Sequence, residues 1–260
     1  GDGEILVGQP TYRLNQHLFA FEHAGAHKVK GKDAPVEAYR LAGTLDRAEA
    51  FRGLAVHGLS SPLVGRHHEL DQVLKAVDQA LLGRAQVVRV VGDAGSGKTR
   101  LVEEVVSSLE RDGRLAGIAV RRTGCSSLGD QTYGVLANLL REGYHIGAGD
   151  SLEDAQGKLR TGLADIVAAE DEIEGMVPYL SHVLGIASDA DALAAVEPEQ
   201  LKRQIFMAAR AMFENRLRSG PVMLVCEDLH WADAASIELL RFLVDRLDDQ
   251  PLMLLLTHRP

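Results

Sequence analysis

Residues 92–99 read GDAGSGKT, which fits the phosphate-loop pattern G-x-x-x-x-G-K-[ST]. The apolar spacing predicts a strand over Val87–Val91 directly before this motif and a helix that begins at Lys98. Glycines let successive backbone N–H groups surround an anion, and a helix start adds the positive end of its dipole. This strand, loop and helix predict an α/β domain with a parallel sheet that binds nucleotide phosphates.

Each part of the motif has an expected role. Lys98 is expected to reach the β- and γ-phosphates and to act in catalysis, and the Thr99 hydroxyl is expected to bind Mg²⁺. The predicted cofactors are therefore ATP or ADP together with Mg²⁺. The residues expected to line the nucleotide are Gly92, Asp93, Ala94, Gly95, Ser96, Gly97, Lys98, Thr99 and Arg100.

Two carboxylates follow a second apolar strand. This strand is predicted over Val222–Cys226, and Glu227 and Asp228 come next. Ligands bind at the carboxyl ends of strands in open α/β sheets, so we assign Glu227 to Mg²⁺, partly through water. Asp228 is assigned to polarising the attacking water. Taken alone, the pair also fits a solvated acidic turn; the phosphate loop upstream favours the catalytic interpretation.

A third predicted strand, Leu252–Leu256, is followed by Arg259. If this strand lies between the other two, the Arg259 guanidinium would sense the γ-phosphate through a charge-assisted hydrogen bond. A surface arginine after a strand is the alternative.

Smaller features near these motifs have structural explanations. Trp231 is expected to be buried and Asp233 to cap the next helix, so neither they nor the adjacent His230 need a chemical role. His67 and His68 are expected to lie in a solvated loop rather than at a metal ion.

The remaining pattern predicts alternating helices and strands. Further helices are predicted over Glu69–Leu82 and Ala234–Leu247, and a further strand over Leu115–Val120. Residues 131–219 are predicted to be almost wholly helical, with breaks at Gly147–Gly149, at Ser188–Ala190 and before Pro198. Strands separated by helices and buried on both faces predict a three-layer αβα fold with a helical insertion.

The front of the chain is different in character. Residues 1–43 are predicted to be β-rich, with a short apolar run at Glu4–Val7, strands at His27–Lys30 and Val36–Leu41 and a short helix within Pro10–Leu18. This segment is too small to form its own core, so we expect it to be the tail of a domain whose body lies upstream of residue 1. Residues 44–60 are predicted to be a linker, and residues 61–260 the α/β domain.

Composition limits the classes of function. The chain has 260 residues, 46% of them apolar, and a formal net charge of −9. No apolar run approaches the roughly 20 residues that cross a bilayer, and an acidic chain is not expected to bind nucleic acid by itself. Two cysteines suit a reducing compartment, so a cytoplasmic location is expected. The absence of an initiator Met predicts a piece of a longer chain.

Four motifs in order resemble the STAND class of signalling P-loop ATPases: LVGRHHEL (63–70), GDAGSGKT (92–99), LVCEDLHWAD (224–233) and LLLTHRP (254–260). In that family a Gly-Arg pair before the first helix frames the nucleotide, which implies this role for Gly65 and Arg66. The resemblance also supports Arg259 as the sensor. An acidic residue often follows the Gly-Arg pair in the family, whereas His67 stands there in this chain.

The front of the chain is similar to the C-terminal end of class III adenylate/guanylate cyclase domains, through GEILVGQPTYRL (3–14) and VKGKDAPVEAYRL (29–41). In that family a lysine of the VKGK turn contacts the substrate polyphosphate, which implies Lys30 rather than Lys32. Basic residues on an exposed hairpin are an equal alternative. The metal-binding aspartates and transition-state residues of the cyclase are absent, so these 260 residues are not expected to make cyclic AMP unaided.

Together the resemblances imply a truncated α+β cyclase domain fused to a STAND ATPase whose last core strand and lid lie beyond Pro260. The function they imply is an ATP-dependent regulatory switch that hydrolyses ATP slowly. Its expected partners are ATP, other domains of the same chain and, in a nucleotide-dependent manner, further copies of itself. The alternatives are a LuxR-type transcriptional regulator, a scaffold that binds nucleotide without hydrolysis and, least favoured, a small-molecule kinase, for which no Arg-rich lid is found.

Overall fold

The computed structural model describes residues 4–16, 19–27, 29, 35–44, 63–125, 131–147, 149–187, 193 and 195–260. The chain divides into two compact units, Gly1–Pro62 and Leu63–Pro260. Apart from Thr44, the predicted linker lies outside the described residues, as do Lys30 and Lys32 of the cyclase-like turn.

The first unit contains an antiparallel sheet of three strands in the order β1-β3-β2. Its elements are β1 (Leu6–Gly8), α1 (Gln9–Asn15), β2 (Phe19–His27) and β3 (Val36–Thr44). The Tyr12 ring of α1 stacks on the Tyr39 ring of β3, with centroids 4.0 Å apart, and meets Phe21 of β2 edge-on. These aromatic contacts pack α1 against the sheet.

Of the strand predicted at His27–Lys30, Lys28 and Lys30 lie outside the described residues, and β2, which runs from Phe19 to His27, contains only the first residue of the prediction. Phe21 of β2 meets Tyr12 of α1 and Phe19 of its own strand edge-on, and aromatic residues of this kind favour a strand. Helix α1 was correctly placed within Pro10–Leu18, although it starts one residue earlier.

The second unit is built on a parallel sheet of four strands in the order β4-β7-β6-β5. The strands are β4 (Gln86–Val91), β5 (Ala119–Gly124), β6 (Val222–Glu227) and β7 (Leu252–His258). The helices are α2 (His67–Leu81), α3 (Lys98–Arg111), α4 (Gly134–Gly143), α5 (Leu152–Ala164), α6 (Glu170–Leu184), α7 (Pro198–Arg218) and α8 (Ala234–Arg246), with single 3₁₀ turns at Leu115–Gly117 and Leu229–Trp231.

Helices cover both faces of this sheet, which confirms the predicted α/β layering. Alternate residues along the central strands point to opposite sides. Met223 and Val225 of β6 pack with α2 and α3, whereas Leu224 and Cys226 pack with the helices of the insertion and α8. The insertion is helical as predicted, with α7 beginning at Pro198; the break expected at Ser188–Ala190 lies outside the described residues.

Two expectations about the strands are wrong. Leu115–Gly117 forms a 3₁₀ turn and the strand follows at Ala119–Gly124, so β5 carries two arginines that a central strand would not tolerate. Burial on both faces holds for the central strands β6 and β7 but not for β4, whose Val87 and Val91 are 43% and 49% exposed. Both exceptions are the outermost strands of the described sheet, and the exposed residues of β4 alternate with less exposed ones, so helices leave one face of this strand open.

Candidate functional site

The predicted phosphate loop connects the end of β4 to the start of α3. Gly95 and Gly97 have φ of +75° and +86°, a backbone conformation that glycine adopts without strain. Gly92 is required for space instead, because a Cβ there would lie 2.7 Å from the Ser96 hydroxyl oxygen. That hydroxyl is buried and has no hydrogen-bond partner among the described residues. A tight loop with an unsatisfied polar group fits a site that encloses an anion.

Lys98 begins α3 and is only 8% exposed. Its Nζ donates to the carbonyl oxygens of Gly92 and Asp93, at 2.8 and 3.0 Å. The ammonium group is therefore held against the loop's own backbone, at the positive end of the α3 dipole. Phosphate oxygens would be stronger acceptors for it than neutral carbonyls.

One hydrogen bond joins the phosphate loop to the carboxylate at the end of β6. Thr99 Oγ1 donates to Glu227 Oε2 at 2.9 Å. Glu227 closes β6 and is 6% exposed; burial raises the pKa of its carboxyl, and the bond from Thr99 offsets part of this rise. A hydroxyl and a carboxylate side by side form an all-oxygen ligand set of the kind that Mg²⁺ prefers, so the residues present fit this ion.

Asp228 has φ of +54°, the left-handed conformation, which turns the chain away from the strand direction. Its backbone N–H donates to Thr257 Oγ1 of β7 at 3.1 Å, and about half of its side chain is exposed. Asp228 and Glu227 therefore point into different surroundings, one to solvent and one to the interior.

Strand β7 lies between β4 and β6, as the sensor interpretation of Arg259 requires. The Gly92 N–H donates to the carbonyl oxygen of His258, the last residue of β7, at 3.2 Å. Arg259 follows directly and is exposed. Among the described residues its guanidinium makes no hydrogen bond or ion pair, so it lies at the edge of the loop without contacting the other predicted site residues.

Gly65 and Arg66 lie at the start of α2 in the same unit. Gly65 has φ of +73°, and Arg66 is the N-cap residue of the helix. Arg66 Nη1 is 3.8 Å from the position that a Cβ on Gly97 would occupy, so its guanidinium approaches the loop. Arg100 instead turns along its own helix, where Nη2 is 2.7 Å from Glu104 Oε2.

The segment after Asp228 differs from expectation. Trp231 is 43% exposed, because the 3₁₀ turn at Leu229–Trp231 rotates its ring outward. His230 is less exposed, at 17% of its side chain: its ring nitrogens are buried without a hydrogen-bond partner among the described residues, and Nδ1 is 4.0 Å from Asp228 Oδ1. The one signal in the sequence for a role of His230 beside the site is its position two residues after Asp228.

Asp233 caps α8 as predicted, since its carboxylate accepts from the Ser236 N–H at 2.9 Å. The same carboxylate also accepts from the backbone N–H groups of Tyr133 and Gly134, at 3.0 and 3.1 Å. One side chain therefore serves the starts of two helices about 100 residues apart. Sequence reasoning did not foresee this second contact.

The adjacent histidines His67 and His68 form the first turn of α2 and are exposed, so the expectation of a loop there is wrong.

Cys226 is fully buried, and burial raises the pKa of its thiol to about 12, as fits a core residue. In the part of the chain that the structure describes, no helix is both long and apolar enough to cross a membrane.

Known proteins supply three comparisons. A protein of Rhizobium meliloti (strain 1021), described only as uncharacterized, is 28% identical over 261 aligned residues, which are 98% of this chain. The chain spans about a quarter (24%) of the length of that relative. Among solved structures, the ORC2 protein of Aeropyrum pernix, in ADPNP-ADP complexes, matches 76% of this chain and 42% of its own with a TM-score of 0.39 and 12% identity.

The third comparison covers most of the second unit. A family model described as "AAA ATPase domain" matches residues 62–255, which include the loop, both carboxylates, the strands β4, β5 and β6, and β7 as far as Leu255. The chain belongs to the AAA ATPase domain family.

Proposed function

We propose that the AAA unit, residues 63–260, binds Mg²⁺ with ATP or ADP and hydrolyses ATP slowly. The observation that carries the proposal is the hydrogen bond between Thr99 and Glu227, beside the buried ammonium of Lys98. It places a hydroxyl, a carboxylate and a cation at one end of one loop, which is the set that phosphoryl transfer requires.

Mg²⁺ held by the Thr99 hydroxyl and the Glu227 carboxylate, partly through water, would supply positive charge near the phosphates. Lys98 exchanges its carbonyl partners for phosphate oxygens, and the loop N–H groups donate to the same phosphates. Asp228 accepts a proton from water as the water oxygen bonds to the γ-phosphorus and the bond to the β–γ bridging oxygen breaks. Arg259, Gly65 and Arg66 are proposed to contact the nucleotide from the rim.

We further propose that this reaction serves regulation rather than turnover of a metabolite. The support is the ordered set of STAND-like motifs together with an exposed, unpartnered Arg259 that is able to report the γ-phosphate to other parts of a longer chain. The connection to a nucleotidyl cyclase stays a prediction from the sequence of residues 1–43. Measuring cyclase activity in a chain that includes the preceding sequence would test it.

Calorimetric titration of Mg-ATP and Mg-ADP into the 260-residue chain tests the nucleotide site. Saturable binding is expected, and Lys98→Ala should abolish it. The matched control is Lys75→Ala, which removes an exposed lysine on α2 paired only with Asp71 four residues away. Equal affinity of the Lys98→Ala variant and the wild-type chain would overturn the proposal. Binding of ATP without release of phosphate over many hours would establish the non-hydrolysing scaffold instead.

A further inference from the structure

The second unit contains a cavity of about 690 Å³ on the face of the sheet that carries the helical insertion. It lies against the amino-terminal halves of two strands, where Ala119 of β5 and Val222 and Leu224 of β6 line it. Glu227 lies at the carboxyl end of the same β6, so the cavity is remote from the nucleotide loop along the strand. Its volume falls in the range of roughly 300–1,000 Å³ that small-molecule sites occupy.

The walls of the cavity are mostly apolar and come from three helices. Leu139 and Leu140 of α4, Met212 and Phe213 of α7 and the ring of Tyr144 line it. The opposite wall is α5, which presents two glycines. The Tyr144 ring packs so closely on Gly162 that no larger residue fits there, whereas a Cβ added to Gly157 would meet nothing within 4 Å. The space beside Gly157 is therefore open.

Two arginines bring positive charge to this apolar space. Arg121 comes from β5 and Arg216 from α7, and both line the cavity near Tyr144. Burial raises the pKa of the Tyr144 hydroxyl to about 12; the charges of both arginines oppose that rise, and the charge of Asp165 adds to it. Arg121 Nη1 donates only to the carbonyl of the preceding residue, at 3.0 Å.

Among the described residues neither guanidinium forms a salt bridge, although Glu142 lies close enough to Arg121 for the arginine's charge to lower the pKa of that carboxyl. Among the described residues Arg216 makes no hydrogen bond or ion pair through its side chain. Lys158 also lines the cavity but is paired with Asp150 at 2.6 Å, and the lining carboxylate Asp165 is exposed and pairs with neither arginine. Arg216 is half-buried and makes no ion pair among the described residues, which is unfavourable for a guanidinium, so the cavity beside it is suited to an anion.

We propose that this cavity binds a small amphipathic anion, with its apolar body among Leu140, Met212 and Phe213 and its single carboxylate between Arg121 and Arg216. The site is separate from the proposed nucleotide site and does not depend on it. Arginine suits this role because its planar fork of donors matches the two oxygens of a carboxylate.

The test is calorimetric titration of three probes into the 260-residue chain, below their micelle concentrations. The probes are decanoate, 1-decanol and decyltrimethylammonium, which share one apolar body and differ in charge. Decanoate should bind saturably at one site per chain. The alcohol and the cation should bind at least about tenfold more weakly, the fold-change expected when a charge-assisted hydrogen bond is absent.

Two variants locate the binding. Arg216→Met keeps an apolar stem and should weaken decanoate binding about tenfold or more, whereas Arg203→Met, the same change at an exposed residue of α7 that does not line the cavity, should leave it unchanged. Gly157→Leu should fill the open space and abolish binding of every probe; circular dichroism and thermal melting establish that each variant is folded.

The outcomes separate cleanly. Tight binding of decanoate that is lost in both Arg216→Met and Gly157→Leu supports the proposal. Equal affinity for decanoate and decanol would show that the charge plays no part, which overturns it. Decanoate binding that survives Gly157→Leu would place the ligand elsewhere and overturn it as well, as would the absence of saturable binding at millimolar concentration.

Discussion

The hydroxyl of Thr99 donates a hydrogen bond of 2.9 Å to the carboxylate of Glu227, across 128 positions of the sequence. Thr99 lies in the first turn of α3 and Glu227 at the end of β6. The bond therefore ties the phosphate loop to the acidic strand end. It also keeps a buried carboxylate from being left without a donor.

Replacing Thr99 by Val should remove this bond while keeping the shape of the side chain. The affinity for Mg-ATP should fall about tenfold or more, because a hydrogen bond to a charged group is lost and one oxygen ligand with it. Thr99→Ser keeps the hydroxyl and should bind as the wild type does. Calorimetry with Mg²⁺ and with excess chelator measures the effect, and equal losses under both conditions would contradict a role at the metal.

Asp228→Asn should lower the rate of ATP hydrolysis by about 10²-fold or more, since an amide cannot accept the proton of the attacking water. Nucleotide affinity should stay within about threefold, because asparagine tolerates the φ of +54° found at this position. Asp171→Asn, on the exposed surface of α6, is the matched control. Single-turnover phosphate release measures the rate, and undiminished turnover in Asp228→Asn would remove Asp228 from the mechanism.

Gly92→Ala should impair nucleotide binding through one identifiable clash. The new Cβ would lie 2.7 Å from the Ser96 hydroxyl oxygen, so the loop must shift. The double variant Gly92→Ala/Ser96→Ala removes that oxygen and should recover part of the affinity, whereas Gly117→Ala, where a Cβ meets nothing within 4 Å, should have no effect. A double variant no better than the single one would show that the clash with the Ser96 hydroxyl is not the cause of the loss.

Asp233→Ala should destabilise the AAA unit by about 1–3 kcal/mol at neutral pH, because α8 loses its cap and the N–H groups of Tyr133 and Gly134 lose their acceptor. Thermal or urea unfolding measures the loss. Asp245→Ala, an exposed change on the same helix, should cost little.

The pKa of the Asp233 carboxyl predicts how the stability of the AAA unit changes with pH. Burial alone would raise the pKa of Asp233, but the hydrogen bonds from Ser236, Tyr133 and Gly134 outweigh burial and hold that pKa below its ordinary value. At pH values between the lowered pKa of the folded chain and the ordinary pKa, the unfolded chain binds more protons than the folded one. The stabilisation is therefore present above the ordinary pKa and is lost as pH falls through the pKa of the folded chain. The gap between wild type and Asp233→Ala should therefore narrow in acid; a gap independent of pH would contradict the assignment.

Local patterns in the sequence determined the AAA layering and most element positions. The phosphate loop, the helix that begins at Lys98 and the apolar strands ending near Glu227 and His258 follow from the spacing of residues within one segment. The two strand errors share a cause. The outermost strands are not covered by helices as fully as the central ones, so neither the arginines of β5 nor the exposed valines on one face of β4 match the pattern of a strand buried on both faces.

Contacts between distant segments were decided only by the tertiary structure. The order β4-β7-β6-β5 places the end of β7 beside both Gly92 and Asp228, and the fold aims the Asp233 carboxylate at two helix starts. The 3₁₀ turn at Leu229–Trp231 leaves His230 less exposed than Trp231, which the local sequence did not indicate. The sequence determines which groups can donate, accept or carry charge, and the packing of segments far apart along the chain decides which of them meet.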